Sequence, residues 1–169
     1  MKFKIIFIWS LVHLDNIRLS TRGSKFSKIM VAIDGSEHSL KAAHHALDIA
    51  KSFSAPLYAV TVTYVPESYH LKQEDVLNQS REMRDSMEDA KTWLEKFNQE
   101  SKEDNVQLKT ELINSHRPVD YIILEYAEEN NIDLIVIGTR GRSGFKKLLL
   151  GSIASSVVTY AHCPVMVVK

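Results

Sequence analysis

Cysteine is almost missing from this chain: Cys163 stands alone among 169 residues. One thiol excludes an internal disulfide and a multi-cysteine zinc site. Its place just before a closing apolar run reads as a buried, inert thiol rather than a redox group. An excess of charge of one sign is missing too. Lys and Arg number 21, Asp and Glu number 21, so nothing favours bulk attraction to nucleic acid or to anionic lipid. No apolar run is long enough to be a membrane helix: Ile5–Val12 falls well short of a bilayer's thickness. Two common phosphate signatures are also lacking. No stretch fits G-x-x-x-x-G-K-[ST], and none fits G-x-G-x-x-G. A P-loop NTPase and a typical dinucleotide-binding domain are therefore disfavoured. No serine or cysteine sits in a nucleophile elbow, and no carboxylate pair suggests acid–base catalysis.

What remains is an ordinary globular balance, 44% apolar and 25% charged. Its length suits one domain with a real core. Residues 1–25 differ from the rest and read as an N-terminal extension outside the core, with the domain proper spanning 26–169. Lys2 and Lys4 before Ile5–Val12 resemble a weak secretory signal, but Asp15, Arg18 and Arg22 follow and no A-x-A cleavage site appears. The extension's apolar residues need cover, on the domain or on a partner.

From Lys28 onward strand and helix signals alternate. Lys28–Ile33 is a β-branched run closed by Asp34-Gly35-Ser36. Ser36 suits a helix N-cap with Glu37 in the first turn, and Leu40, Ala43, Leu47 and Ala50 follow at helical spacing. Leu57–Val62 predicts a second strand, and Tyr64 to Ser68 a loop. A long polar helix is expected from about Gln73 to Ser101, striped by Met83, Met87, Ala90, Leu94 and Phe97 beside Trp93. The methionines read as core filling. Val106–Ile113 predicts a third strand. Pro118 opens a helix burying Val119, Ile122, Ile123, Tyr126 and Ala127. Ile132–Ile137, a helix over Ser152–Ala161 with Ile153, Ala154, Val157 and Val158 inward, and a strand over Pro164–Val168 complete the chain. Strands alternating with helices imply α/β architecture, a five-stranded parallel sheet with helices on both faces.

The most informative stretch is Gly138-Thr139-Arg140-Gly141, nine further residues, then Gly151-Ser152. It follows the strand Leu134–Ile137 and leads into a helix. Glycines let backbone N–H groups approach an anion closely, and a helix N-terminus adds donors and a positive dipole end. Ser152 adds a hydroxyl. The reading is an adenine-nucleotide site, with Mg²⁺ or Mn²⁺ carried by phosphates and water, since no carboxylate cage accompanies the glycines. Open sheets of this kind bind ligands at the carboxyl ends of strands near the switch in strand order. Asp34 ends the first strand, where it can accept from ribose hydroxyls; it also has a reading as an Asx-turn residue. Arg140, Arg142, Lys146 and Lys147 form either a solvated face or phosphate partners. His44 and His45 are about 100° apart on a helix and suit no shared metal.

The spacing Gly-x2-Gly-x9-Gly-Ser resembles the ATP-binding branch of the universal stress protein family. So do Val31-Ala32-Ile33-Asp34-Gly35-Ser36-Glu37-His38-Ser39 and the ending Cys163-Pro164-Val165-Met166-Val167-Val168-Lys169. The resemblance covers about Phe26 to Lys169 and implies a Rossmann-like sheet of order 3-2-1-4-5. It implies that Asp34 meets ribose, that the backbone near Val62 meets adenine, and that Gly138, Thr139, Arg140, Gly141, Gly151 and Ser152 meet phosphates. It also implies a homodimer through the last strand, a cytoplasmic setting and a nucleotide-dependent role in stress signalling. One departure is His116-Arg117-Pro118, where the family often has Gly-x-Pro; a positive φ there would strain histidine. Two other functions stay open: a slow ATP hydrolase of the same fold, and a dimerisation adaptor without a working site. The absence of Ser-Gly-Gly-x-Asp-Ser after the first strand disfavours an ATP pyrophosphatase, and at most weak hydrolysis is expected.

Overall fold

The computed structural model describes residues 6–8, 26–64, 73–141 and 150–169, with backbone alone for 6–8 and 73–87. In chain order the elements are β1 (Ile6–Ile8), β2 (Ile29–Ala32), α1 (Glu37–Phe53), β3 (Leu57–Tyr64), α2 (Gln73–Glu103), β4 (Leu108–Ser115), α3 (Val119–Glu129), β5 (Leu134–Gly138), α4 (Ser152–Tyr160) and β6 (Val165–Val168). They form one sheet of order β1-β6-β5-β2-β3-β4. Strands β2 to β6 are mutually parallel. Counted without β1 they run 3-2-1-4-5, as the resemblance implies. The added strand is β1, antiparallel to β6, with Ile6 opposite Val167 and Ile8 opposite Val165.

Strand alternation divides the core into two layers. Ile29, Val31, Leu57, Ala59, Leu134, Val136, Met166 and Val168 face α1 and α2. Met30, Ala32, Val60, Ile135, Ile137, Val165 and Val167 face α3 and α4. Both faces of the parallel sheet are covered, which is why its strands read as continuous apolar runs.

Helix α1 starts where expected: Ser36 is the N-cap and its Oγ accepts from the Ser39 N–H at 3.3 Å. Its buried stripe is Ser39, Ala42, Ala43, Ala46, Leu47 and Ala50. Leu40, expected inside, is 36% exposed. It lies outside the buried stripe, which begins at Ser39. A Cβ built on Gly138 would lie 2.8 Å from the His38 carbonyl carbon, so the start of α1 presses close on the end of β5. Of the stripe on α2, Ala90, Leu94 and Phe97 are buried; Met83 and Met87 lie outside the described side chains.

The third parallel strand begins two residues later than its apolar pattern suggested. Val106 is used instead to close α2, its N–H donating to the Ser101 carbonyl at 2.9 Å, with Asn105 left-handed at φ 56°. The same closure ends α1 through Ser54 and Ala55, and α3 through Asn131 and Ile132.

Candidate functional site

The strand order reverses between β2 and β5, and an open cleft of about 560 Å³ lies at their carboxyl ends. All eight residues singled out from the sequence line it: Asp34, Val62, Gly138, Thr139, Arg140, Gly141, Gly151 and Ser152. Five further residues, Val60, Val119, Ile123, Ile137 and Ile153, give it an apolar wall on the α3 and α4 side. Ile153, expected inward, is 38% exposed because it faces this cleft rather than the core. Ile123 is buried in the core as its spacing predicts, with Val119 packed beside it, yet both also line the cleft. Their helical spacing could not show that the first turns of α3 overhang a cleft.

Asp34 performs the Asx-turn role: its Oδ1 accepts from the Ser36 N–H at 3.0 Å and the Ser36 Oγ–H at 2.6 Å. Its Oδ2 lies toward the glycine loop, 2.5 Å from where a Cβ on Gly141 would stand. One carboxylate oxygen thus builds the turn while the other faces the loop. Ser36 Oγ also lies 3.2 Å from the Arg140 carbonyl oxygen, tying the end of β2 to the segment after β5.

The glycines have distinct surroundings. Gly138 admits the backbone of α1, as described above. Gly141 admits the Asp34 carboxylate. Gly151 caps α4 and closes the loop, its N–H donating to the Thr139 carbonyl at 2.7 Å. The N-cap residue of α4 is thus a glycine and brings no side-chain acceptor, in contrast to Ser36 at α1. The first N–H groups of α4 find no acceptor in their own N-cap side chain, and they lie at the cleft, at the positive end of the helix dipole. Thr139 is 6% exposed, and its Oγ1 is buried without a hydrogen-bond partner among the described residues. Such an atom is ordinarily satisfied by water or ligand. Arg142, Lys146 and Lys147 lie outside the described residues.

On the other side of the cleft, the Ile33 N–H donates to the Val60 carbonyl at 2.9 Å. Backbone groups alternate sides along a strand, so Val62 presents its N–H and C=O toward the β2 side, beyond the last residue of β2. A donor and an acceptor stand side by side there, next to the apolar wall. Among the described residues no group of three His, Cys, Asp or Glu side chains could hold a metal ion.

His116 takes no positive φ. The described non-glycine residues that do are Ser54, Asn105 and Asn131. The loop instead turns on Ser115, whose Oγ accepts from the Arg117 N–H at 3.0 Å. Arg117 then pairs with both oxygens of Glu125 at 3.0 and 3.1 Å and lies 4.0 Å from the Tyr121 ring centre. The strain foreseen for histidine is absent.

A doubly wound parallel sheet with a glycine loop at its switch point is the Rossmann-like class of α/β fold. The sequence profile described as the Universal stress protein family matches residues 25–169, and the chain belongs to that family. A universal stress protein of Methanocaldococcus jannaschii is 40% identical over 144 residues, 85% of this chain and 82% of that protein. The solved structure of the universal stress protein UspA from Lactobacillus plantarum is 28% identical, with a TM-score of 0.76, covering 86% of this chain and 99% of that one. A family protein from Arabidopsis thaliana, solved with AMP bound, shares the fold at 20% identity and a TM-score of 0.60, over 85% of this chain and 91% of its own. Two further neighbours, at 24% and 22% identity with TM-scores of 0.56 and 0.57, hold cAMP and dAMP; each covers 86% of this chain, and the matches span 98% and 100% of the neighbours. No helix among the described residues is long and apolar enough to cross a membrane.

Proposed function

We propose that the cleft binds an adenine nucleotide, ATP with Mg²⁺ or Mn²⁺, and that occupancy lets the protein act as a stress-signalling module. The observation that carries this reading is the convergence of three unlike groups on one cleft: the Asp34 carboxylate, the end of β3 at Val62 and the glycine-capped N-terminus of α4. Adenine offers an N6 amino donor beside the N1 acceptor, which suits a strand's C=O and N–H. Ribose hydroxyls suit a carboxylate. Phosphates suit free helix N–H groups and glycine backbone, with Ser152 and Thr139 hydroxyls near. The metal would sit on phosphate oxygens and water. The adenine nucleotides held by AMP-, cAMP- and dAMP-bound neighbours support the choice of base.

Turnover is at most weak in this account, because the reading assigns no general base to an attacking water. The cytoplasm is the proposed setting. Residues 1–25 are an extension and 26–169 the functional domain. A homodimer through β6 is proposed for the state in which β1 has left that edge, since Ile6–Ile8 occupies it within one chain.

Thermal unfolding tests the reading. A ligand at a hundred times its Kd adds about 2.7 kcal/mol of stability, which corresponds to a rise of roughly 5–10 °C for a domain this long. ATP and AMP should produce such a rise and GTP should not. Equal response to all three, or to none, would overturn the proposal.

A further inference from the structure

Trp93 contributes nothing to the cleft lining, yet it lies against the turn that carries Asp34. A Cβ built on Gly35 would stand 2.9 Å from the Trp93 Nε1 and 3.4 Å from Cε2. The indole is half-buried and packs on the α1 and α2 side of the core. Gly35 itself is left-handed at φ 81°, a conformation that glycine adopts readily and also leaves readily. From inside, the turn is held by Ser36 on Asp34 Oδ1 and by the Asp34 N–H, which donates to Ser39 Oγ at 3.3 Å. From outside, the flat indole covers the one residue whose backbone could most easily swing.

We propose that Trp93 is a positioning residue for the nucleotide site: by packing on Gly35 it fixes the Asp34 carboxylate toward the ribose, and it couples ribose occupancy to helix α2. This rests on the adenine-nucleotide reading of the cleft. Trp93 belongs to the opposite layer of the fold from the apolar wall of the cleft. Its effect therefore reaches the ligand only through the Asp34–Gly35–Ser36 turn. It touches neither base nor phosphate.

That route makes the proposal separable from a merely structural one. Titrate AMP and 2′,3′-dideoxy-AMP into the parent and into Trp93→Ala, and compare the losses. A carboxylate–hydroxyl hydrogen bond lost from AMP costs about tenfold in affinity, while the dideoxy nucleotide, which never made it, should bind parent and variant within about twofold of each other. If Trp93→Ala does not fold, the same titrations on Trp93→Phe decide, with AMP weakened at least about threefold and the dideoxy nucleotide unchanged. Equal losses for both nucleotides, or no loss for either, overturn the positioning role while leaving the site itself in place. A parent that binds neither nucleotide overturns the reading of the cleft and this proposal with it.

Discussion

Gly141 sits against the Asp34 carboxylate: a Cβ at residue 141 would stand 2.5 Å from the Asp34 Oδ2 and push that side chain aside. The two residues come from different strand ends and meet across the point where the sheet reverses. Gly141→Ala should therefore displace the carboxylate, and calorimetry should show AMP affinity falling by at least about tenfold, the scale of one lost hydrogen bond to a charged group. Gly151→Ala is a graded control. Its Cβ would meet the Thr139 carbonyl oxygen at 3.3 Å, a looser contact than that at Gly141, so only a few-fold loss is expected. Parent-like affinity in Gly141→Ala would show that Asp34 does not serve the ligand.

Gly138 makes a different demand. A Cβ there would meet backbone at 2.8 and 2.9 Å, the carbon of His38 and the nitrogen of Ser39. Backbone cannot rotate aside as a side chain can. Gly138→Ala should lower stability by about 1–3 kcal/mol through overpacking, read as an earlier urea midpoint with an unchanged slope. An unaltered midpoint would mean that α1 is not pressed on β5 as described.

These glycines also show how far the sequence could be read. Spacing alone gathered Gly138, Gly141 and Gly151 into one loop, and the strand-to-helix pattern placed that loop at a strand's carboxyl end. It could not assign their separate tasks, because those depend on what approaches from elsewhere: a helix backbone at Gly138, a carboxylate at Gly141, a carbonyl at Gly151. Parallel strands were legible from apolar runs bounded by turn residues. The start of β4 was not, since Val106 is buried in the core while its backbone closes α2 rather than joining the ladder. Leu40 and Ile153 misled because helical spacing identifies a stripe without identifying what faces its rim. The pairing of Ile6–Ile8 with β6 is a long-range contact that no local pattern encodes.

Cys163 should be unreactive in the folded protein. Burial, aided by the negative charge of Asp133, pushes its thiol from 9.0 up to about 12. Since thiolate is the reacting form, iodoacetamide at pH 8 should modify the native protein more than about a hundredfold more slowly than the unfolded chain. The sign of the accompanying pH effect follows. The folded state holds this proton more tightly, so the stabilisation is fully present below pH 9.0 and is lost as pH rises toward about 12. Comparable alkylation rates in native and denatured protein would contradict the burial.

The edge of β6 decides assembly. In the intact chain β1 pairs with it antiparallel and occupies Val165–Val167 of that edge. Light scattering should find the intact protein monomeric and a protein starting at Phe26 dimeric, because an exposed apolar edge seeks a partner strand. Dimers in both would show that copies pair regardless of the extension. Monomers in both would show that this edge drives no association.

The central claim is that Asp34, the Val62 backbone and the loop from Gly138 to Ser152 together hold an adenine nucleotide. Isothermal calorimetry of AMP, ATP and GTP against the parent and Asp34→Ala tests it most directly. The account predicts saturable binding of AMP and ATP at one site per chain, no binding of GTP, and a loss of at least about tenfold on removing the carboxylate. No heat from any adenine nucleotide up to millimolar concentration, or binding indifferent to Asp34→Ala, would contradict it.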